Sequence, residues 1–425
     1  MSLMSNRIEC RDSKVLQKCR SLCSSYLAGS WKKYKEFINV CIITGGMSNL
    51  LYYCELPDAV AFDETKVLFH SKFGDTANLY LNPNDYKENW DKKIYISIES
   101  TEEQRCLVRL YGQILSKNDI FNGTVIFTIL SELKQGPRLL GVFDGGRIEE
   151  YIPAPHLAVS ELYDAKISRK IANLIGTLHQ LYMPLRKDSN WLEFKMISMS
   201  SKIKDFIKNK DIVGIEKFAD FDYDFHIDFM VEMIIKTNSP VVFSHNDLQE
   251  GNILGLIDKD AIIGQLLPID FEYSSYNYRG FDIANHFCEW MYDYNVDTDP
   301  YFKKCRDFPN STEIANFLQS YQNTMSNNVL QDKMSNYANV MAVDTCIRPN
   351  NFIYTSFDEY IQNESTQKFF DQLVNEIPIF TMCSHLFWFL WSVIQIKISK
   401  VTFNYEAYAI CRLESYKTMF AKKHP

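Results

Sequence analysis

The chain has 425 residues, 46% hydrophobic and 14% aromatic, too many for one compact core and with no compositional sign of disorder. A formal net charge of −8 excludes the broad basic face that holds nucleic acid, so an anionic ligand must be held by a local site. Eleven cysteines, an odd number without paired C-x-x-C spacing, predict reduced thiols in a cytoplasmic protein, and the Cys19/Cys23 pair has no second half of a zinc site near it in sequence.

The first fourteen residues carry Arg7, Glu9, Arg11 and Asp12 and lack the apolar run of a secretory signal. A helix is predicted to about residue 34. Residues 39–44 and 49–56, rich in Val, Ile, Leu and Tyr, predict a hairpin around Gly45-Gly46-Met47-Ser48. A long polar insertion over 57–104 reads as solvated loop. A strand at 106–111, a short helix at 124–135 ending near Gly136-Pro137, and a hairpin around Gly145-Gly146 complete the region. Residues 152–155 read as a linker, dividing the chain into 1–151 and 152–425. Helical periodicity over 160–181 opens a mostly helical second part, interrupted by strands and loops over 241–278. Residues 377–396 are long enough to cross a bilayer, but Pro378, Ser384, His385, Ser392 and Gln395 would be poorly satisfied in lipid. A buried helix and no membrane span are therefore expected.

The stretch Ser244-His245-Asn246-Asp247-Leu248-Gln249-Glu250-Gly251-Asn252 follows the apolar run 241–243. A strand that ends in His-x-Asp, with Asn five residues after the Asp, lets one loop present two oxygens to one place. Phosphoryl transfer needs that arrangement, with Asp247 orienting the attacking hydroxyl and accepting its proton, and the Asn252 amide oxygen facing Mg²⁺. Asp270, eighteen residues on in Ile269-Asp270-Phe271-Glu272, adds a carboxylate suited to a hard cation. Gly45, Gly46, Met47, Ser48 and Asn49 could cover phosphates with backbone N–H groups, although a plain hairpin turn uses the same residues. Arg109 stands on a strand where a cation could meet phosphate, or simply face solvent.

The run from Ile269 through Tyr273, Tyr278-Arg279-Gly280-Phe281-Asp282 and Cys288-Glu289-Trp290 closely resembles the signature of choline kinases. So do His245 to Leu254, Val108 to Gly112 and Trp388-Phe389-Leu390-Trp391-Ser392. The resemblance implies an α+β, protein-kinase-like two-lobed fold, commonly dimeric, with a small β-rich ATP lobe and a larger helical lobe. It implies ATP-dependent phosphorylation of choline, the first step of phosphatidylcholine synthesis, with Asp247 catalytic, Asn252 and Asp270 at the metal, and Arg109 at ATP. Choline-pocket roles fall on Gln249, Tyr273, Glu289, Tyr294, Trp388, Trp391 and Tyr408. Aromatic faces with nearby negative charge suit a trimethylammonium group, which has no N–H donor, although an aromatic-rich helix also serves as plain core. The sequence departs from the family in its long insertion and at Gly123, where a glutamate is usual and its loss would weaken ATP use. The alternatives are an ethanolamine kinase and a catalytically weak pseudoenzyme that binds choline or a partner.

Overall fold

The computed structural model describes residues 7–43, 50–57, 59–62, 94–97, 104–111, 117–209, 214–258, 262–326, 366–399 and 401–423. They fall into two units, Met1–Ser116 with Pro137–Pro153, and Lys117–Gly136 with Ala154–Pro425.

In the first unit, strand β1 (Arg7–Glu9) is followed by helix α1 (Ser13–Tyr26). Asp12 opens α1 by accepting the backbone N–H groups of Lys14 and Val15 at 2.9 and 3.3 Å, satisfying donors that a helix N-terminus leaves open. A short helix, α2 (Ser30–Lys33), leads into β2 (Asn39–Ile43) and β3 (Leu50–Glu55), which pair antiparallel with Ile43 opposite Leu51. The predicted hairpin is therefore present, while Gly45 to Asn49 lie outside the described residues. Strands β4 (Ala59–Phe62) and β5 (Ile94–Ser97) pair with each other at the ends of the insertion. No such pair was anticipated there, and the stretch between them lies outside the described residues. With β6 (Arg105–Leu110), β7 (Leu139–Phe143) and β8 (Gly146–Glu150), the sheet has the order β1-β2-β3-β6-β8-β7. The β7–β8 hairpin turns at Gly145, whose φ of 85° is a region glycine enters without strain.

Strand alternation gives this sheet two characters. Val40, Tyr52, Cys54, Cys106, Val108 and Ile148 share a core with Cys19 and Cys23 of α1. The opposite face carries Tyr53 and Tyr151, with rings 4.9 Å apart, and the buried ionic trio Arg109, Arg147 and Glu149.

The second unit begins with α3 (Lys117–Glu132). The helix starts earlier than the predicted residue 124 and runs through Gly123, a residue that disfavours a helix interior by about 1 kcal/mol. Packing of Ile126, Phe127 and Leu130 into the core outweighs that local preference. The predicted helix over 160–181 is two, α4 (Val159–Leu162) and α5 (Ala165–His179), because Asp164 turns out of helical geometry and caps the N–H groups of Lys166 and Ile167. Helices α6 (Trp191–Lys208) and α7 (Tyr223–Lys236) follow. Four strands come next, β9 (Val241–Ser244), β10 (Ile253–Ile257), β11 (Ile263–Pro268) and β12 (Ser275–Tyr278). Helix α8 (Arg279–Glu289), the short pair β13 (Tyr292–Asp293) and β14 (Lys303–Lys304), and helices α9 (Ser311–Ser326), α10 (Thr366–Ile398) and α11 (Tyr405–Lys423) follow among the described residues.

Helix α10 holds the expected apolar segment. An 18-residue window within Lys368–Ile398 has a mean hydropathy of 1.6, yet 89% of that window is buried inside the protein, where the helix packs on α8 and α11 in the largest core. Arg279 and Glu376 form an ion pair across this packing with both side chains almost fully buried. Gly280 allows the contact, since a Cβ there would lie 2.2 Å from the Phe380 ring.

Candidate active site

The catalytic loop is set by two strand pairings. β9 pairs with β12, placing Ser244 opposite Ser275, and β10 pairs with β11, placing Ile253 opposite Pro268. The second pairing continues into a bond from the Ile269 N–H to the Asn252 carbonyl at 2.9 Å. Asn252 and Asp270, far apart in sequence, are thereby brought side by side. Asp270 has φ 62° and ψ 67°, a left-handed conformation uncommon for a side-chain-bearing residue and characteristic of functional turns. Asn246 is likewise at φ 66°.

The Asn252 amide nitrogen donates to the Asp247 carbonyl at 2.8 Å and to its carboxylate Oδ2 at 3.1 Å. That fixes the distance between the two groups and leaves the amide oxygen as the atom offered to a cation. Burial pushes the Asp247 carboxyl well above the usual carboxylate range, and the nearby charges of Glu289, Glu272 and Asp270 push it in the same direction. Such a concentration of oxygens and negative charge fits a divalent cation, which supplies the missing positive charge. Mg²⁺, when bound there, would polarise and neutralise phosphate oxygens.

The loop backbone is held from α8. Asp282, fully buried, accepts the Asn246 N–H on Oδ1 at 2.7 Å and the His245 N–H on Oδ2 at 3.0 Å. Its Oδ2 also lies 3.0 Å from His179 Nε2. Burial alone would raise the Asp282 carboxyl; the hydrogen bond and charge of His179, the charge of His245 and the Asn246 N–H reverse that and hold it low. His286 lies 2.8 Å from the Leu248 carbonyl through Nδ1 and accepts from Trp290 Nε1 at 3.0 Å.

The predicted choline residues form two connected groups in the same unit. Tyr294 donates to Glu289 Oε2 at 2.6 Å and its hydroxyl lies 2.7 Å from that of Tyr408. Trp391 Nε1 donates to the Tyr273 hydroxyl at 2.8 Å. The Trp388 ring stands 5.3 Å from Trp391 and 5.7 Å from Tyr273, both edge to face. Gln249, instead of joining these rings, caps its own loop by accepting the Gly251 N–H at 2.7 Å.

Sequence reasoning missed two residues that organise these groups. Arg412, fully buried, donates to Glu289 Oε1 at 3.2 Å, to the Tyr408 hydroxyl at 3.3 Å and to Ser384 Oγ at 2.8 Å. Asn285 accepts from Trp388 Nε1 at 2.7 Å and from Ser384 Oγ at 2.8 Å, and donates to the Asn246 carbonyl at 3.3 Å. The only signal for Arg412 was one cation within the apolar run 407–413.

Arg109, in the first unit, donates through Nε to Glu149 Oε1 at 2.6 Å, and Arg147 donates to the same oxygen at 2.7 Å. Burial acts to raise the Glu149 carboxyl, but the two guanidinium groups hold it below its ordinary range. Arg109 thus has a carboxylate from the adjacent strand. Gly123, where a glutamate was expected, has no atom of the described residues, outside its own helix backbone and chain neighbours, within 4 Å of the position a Cβ would take.

A β-rich unit and a helical unit, with this loop between β9 and β12, define a phosphotransferase of the protein-kinase-like α+β class. A choline kinase from Cryptosporidium parvum has the same fold, with a TM-score of 0.62 over 97% of this chain and 96% of that one at 22% identity. The profile of the choline/ethanolamine kinase family matches residues 40–417, and the chain belongs to that family. It is 32% identical to choline kinase alpha of Mus musculus, over 93% of this chain and 78% of that protein. It is also 32% identical to a choline/ethanolamine kinase of Rattus norvegicus, over 93% of this chain and 84% of that protein.

Proposed function

We propose that the chain transfers the terminal phosphoryl group of ATP to the hydroxyl of choline. Asp247 orients the hydroxyl and takes its proton as the oxygen–phosphorus bond forms and the bond to the ADP oxygen breaks. Asn252 and Asp270 hold Mg²⁺, while Arg109 and the turn from Gly45 to Asn49 contact ATP. Gln249, Tyr273, Glu289, Tyr294, Trp388, Trp391 and Tyr408 receive choline.

The observation that carries the choice of choline is how the polar atoms of the aromatic groups are used. Trp391 Nε1 is bonded to the Tyr273 hydroxyl, Trp388 Nε1 to Asn285, and the Tyr294 hydroxyl to Glu289. What these rings offer a ligand is their faces, with carboxylates nearby, and that suits a cation without donors. An ammonium group brings three donors, and leaving one unsatisfied in a buried site costs about 1–3 kcal/mol, or roughly ten- to a hundredfold. Choline should therefore exceed ethanolamine in kcat/KM by about that factor. Measuring ATP consumption with each amine at matched Mg²⁺, in the wild type and in Trp391→Ala, tests this. Equal use of both amines by the wild type would refute the aromatic recognition. No amine-dependent turnover, or turnover undiminished in Asp247→Asn, would refute the reaction itself.

A further inference from the structure

The sequence offers Cys19 and Cys23 with no partner pair nearby, but the fold supplies one. Cys19 and Cys23 are one helical turn apart on α1, and both are fully buried. Strands β3 and β6 pair so that Cys54 lies directly opposite Cys106, and both of these are also fully buried. The sulfurs of Cys23, Cys54 and Cys106 all lie within 4.8 Å of one another, with Cys23 and Cys106 at 3.7 Å. Cys19, one turn before Cys23 on the same helix, is buried in the same core as these three. All ten described cysteines are free thiols.

We propose that Cys19, Cys23, Cys54 and Cys106 form a structural zinc site in the β-rich unit. Tetrahedral coordination with zinc–sulfur bonds of about 2.3 Å separates neighbouring sulfurs by about 3.8 Å. The Cys23–Cys106 separation already matches, and closing the remaining gaps among the three mutually close sulfurs takes movements of about 1 Å or less. Packed thiols would also touch at 3.7 Å, so one distance decides little. What sets this cluster apart is convergence, because one sulfur from a helix and two from paired strands meet at one place, with Cys19 one turn before Cys23 on that helix as the fourth ligand. A ligand set made only of sulfur selects a soft or borderline ion, and four of them select tetrahedral zinc over magnesium or calcium. Complete burial leaves no open position for substrate, which makes the site structural. Each thiol that binds gives up its proton, and the metal–sulfur bonds must exceed the penalty of burying the resulting charge among Val40, Tyr52, Val108 and Ile148. The ion would tie α1 to the sheet and so brace the strand that carries Arg109.

The test is metal analysis of the full chain, expressed with zinc and purified without chelator. About one zinc per chain is expected, and cobalt exchanged into the protein should show thiolate-to-metal charge transfer and tetrahedral d–d absorption. Cys54→Val with Cys106→Val, a pair that keeps the site apolar, should abolish the zinc. Cys305→Ser, at an exposed cysteine outside the cluster, should keep it. A strong chelator should lower the Tm of the wild type and leave that of the valine variant unchanged. Wild-type protein with under about 0.1 zinc per chain and all thiols reactive after denaturation would overturn the proposal in favour of packed thiols. Zinc retained by a folded valine variant would overturn it as well. If the valine variant does not fold, Cys23→Ser and the wild-type cobalt spectrum decide. Zinc retained at full occupancy in Cys23→Ser, or a cobalt spectrum without thiolate charge transfer, would overturn it in that case.

Discussion

Asp282→Asn isolates the hold that α8 has on the catalytic loop, because the change keeps size and removes charge. The aspartate accepts two loop N–H groups, from His245 and Asn246, and stands against His179. An asparagine offers one carbonyl oxygen and turns an NH₂ toward the other donors. At least one bond to a charged acceptor is lost, about 1.5–3 kcal/mol, and a donor is left facing a donor at a fully buried position. Together these should reduce unfolding stability by about 3–5 kcal/mol. The effect on catalysis has a separate source. Asn246 is held at φ 66°, and without that hold the following Asp247 shifts by a fraction of an ångström or more. Displacements on that scale reduce rate by up to about a hundredfold. Steady-state kinetics at saturating ATP should show kcat down about ten- to a hundredfold, with the choline KM changed less than about threefold. Urea unfolding supplies the stability term. A variant within about 1 kcal/mol of wild type that keeps more than half of its kcat would refute this account of the loop.

Glu149→Gln tests whether Arg109 is positioned by its neighbouring strand. It removes the one carboxylate charge that both buried guanidinium groups share, so stability should fall by about 3 kcal/mol. The KM for ATP should rise with that for choline unchanged, and an unaltered ATP KM would separate Arg109 from ATP. His286 provides the pH test, because burial lowers its imidazole from 6.5 to about 4. A depressed value means that its contribution is present above about pH 6.5 and is lost as pH falls toward 4, amounting to about 3 kcal/mol at most. The unfolding free energy of wild type relative to His286→Asn should therefore shrink across that range. Parallel pH curves for the two proteins would contradict it.

Local chemistry made much of this site legible. The β2–β3 hairpin, the loop after β9 and the placement of Asp270 beyond β11 follow from apolar runs bounded by turn residues, which a sequence displays directly. Helix α3 was read short because Gly123 lowers local helix preference, whereas the packing of Phe127 and Leu130 that overrides it is tertiary. The break between α4 and α5 was visible in principle, since Asp164 is a good N-cap, but apolar periodicity continues across it. Pairings such as Arg412 with Glu289, or Cys54 with Cys106, depend on register and helix docking across long intervals. No spacing rule reaches that far.

Helix α8 explains why the catalytic loop and the aromatic groups act as one site. Every residue of this helix is buried, yet Asp282, Asn285, His286 and Glu289 recur at the three- and four-residue spacing that aligns side chains along one face. Buried polar groups are tolerated when each finds a partner, and here the partners come from the site itself. Asp282 takes the His245 and Asn246 N–H groups, Asn285 joins the Asn246 carbonyl to Trp388, and His286 bonds the Leu248 carbonyl. Glu289 takes Tyr294 and Arg412. One rod of eleven residues thus sets the spacing between the carboxylate proposed to take a proton and the rings proposed to hold the cation. A hydroxyl and a quaternary nitrogen two carbons apart need such a fixed spacing. Substitutions along this face should consequently couple with one another, and with Trp388, in double-mutant cycles rather than add.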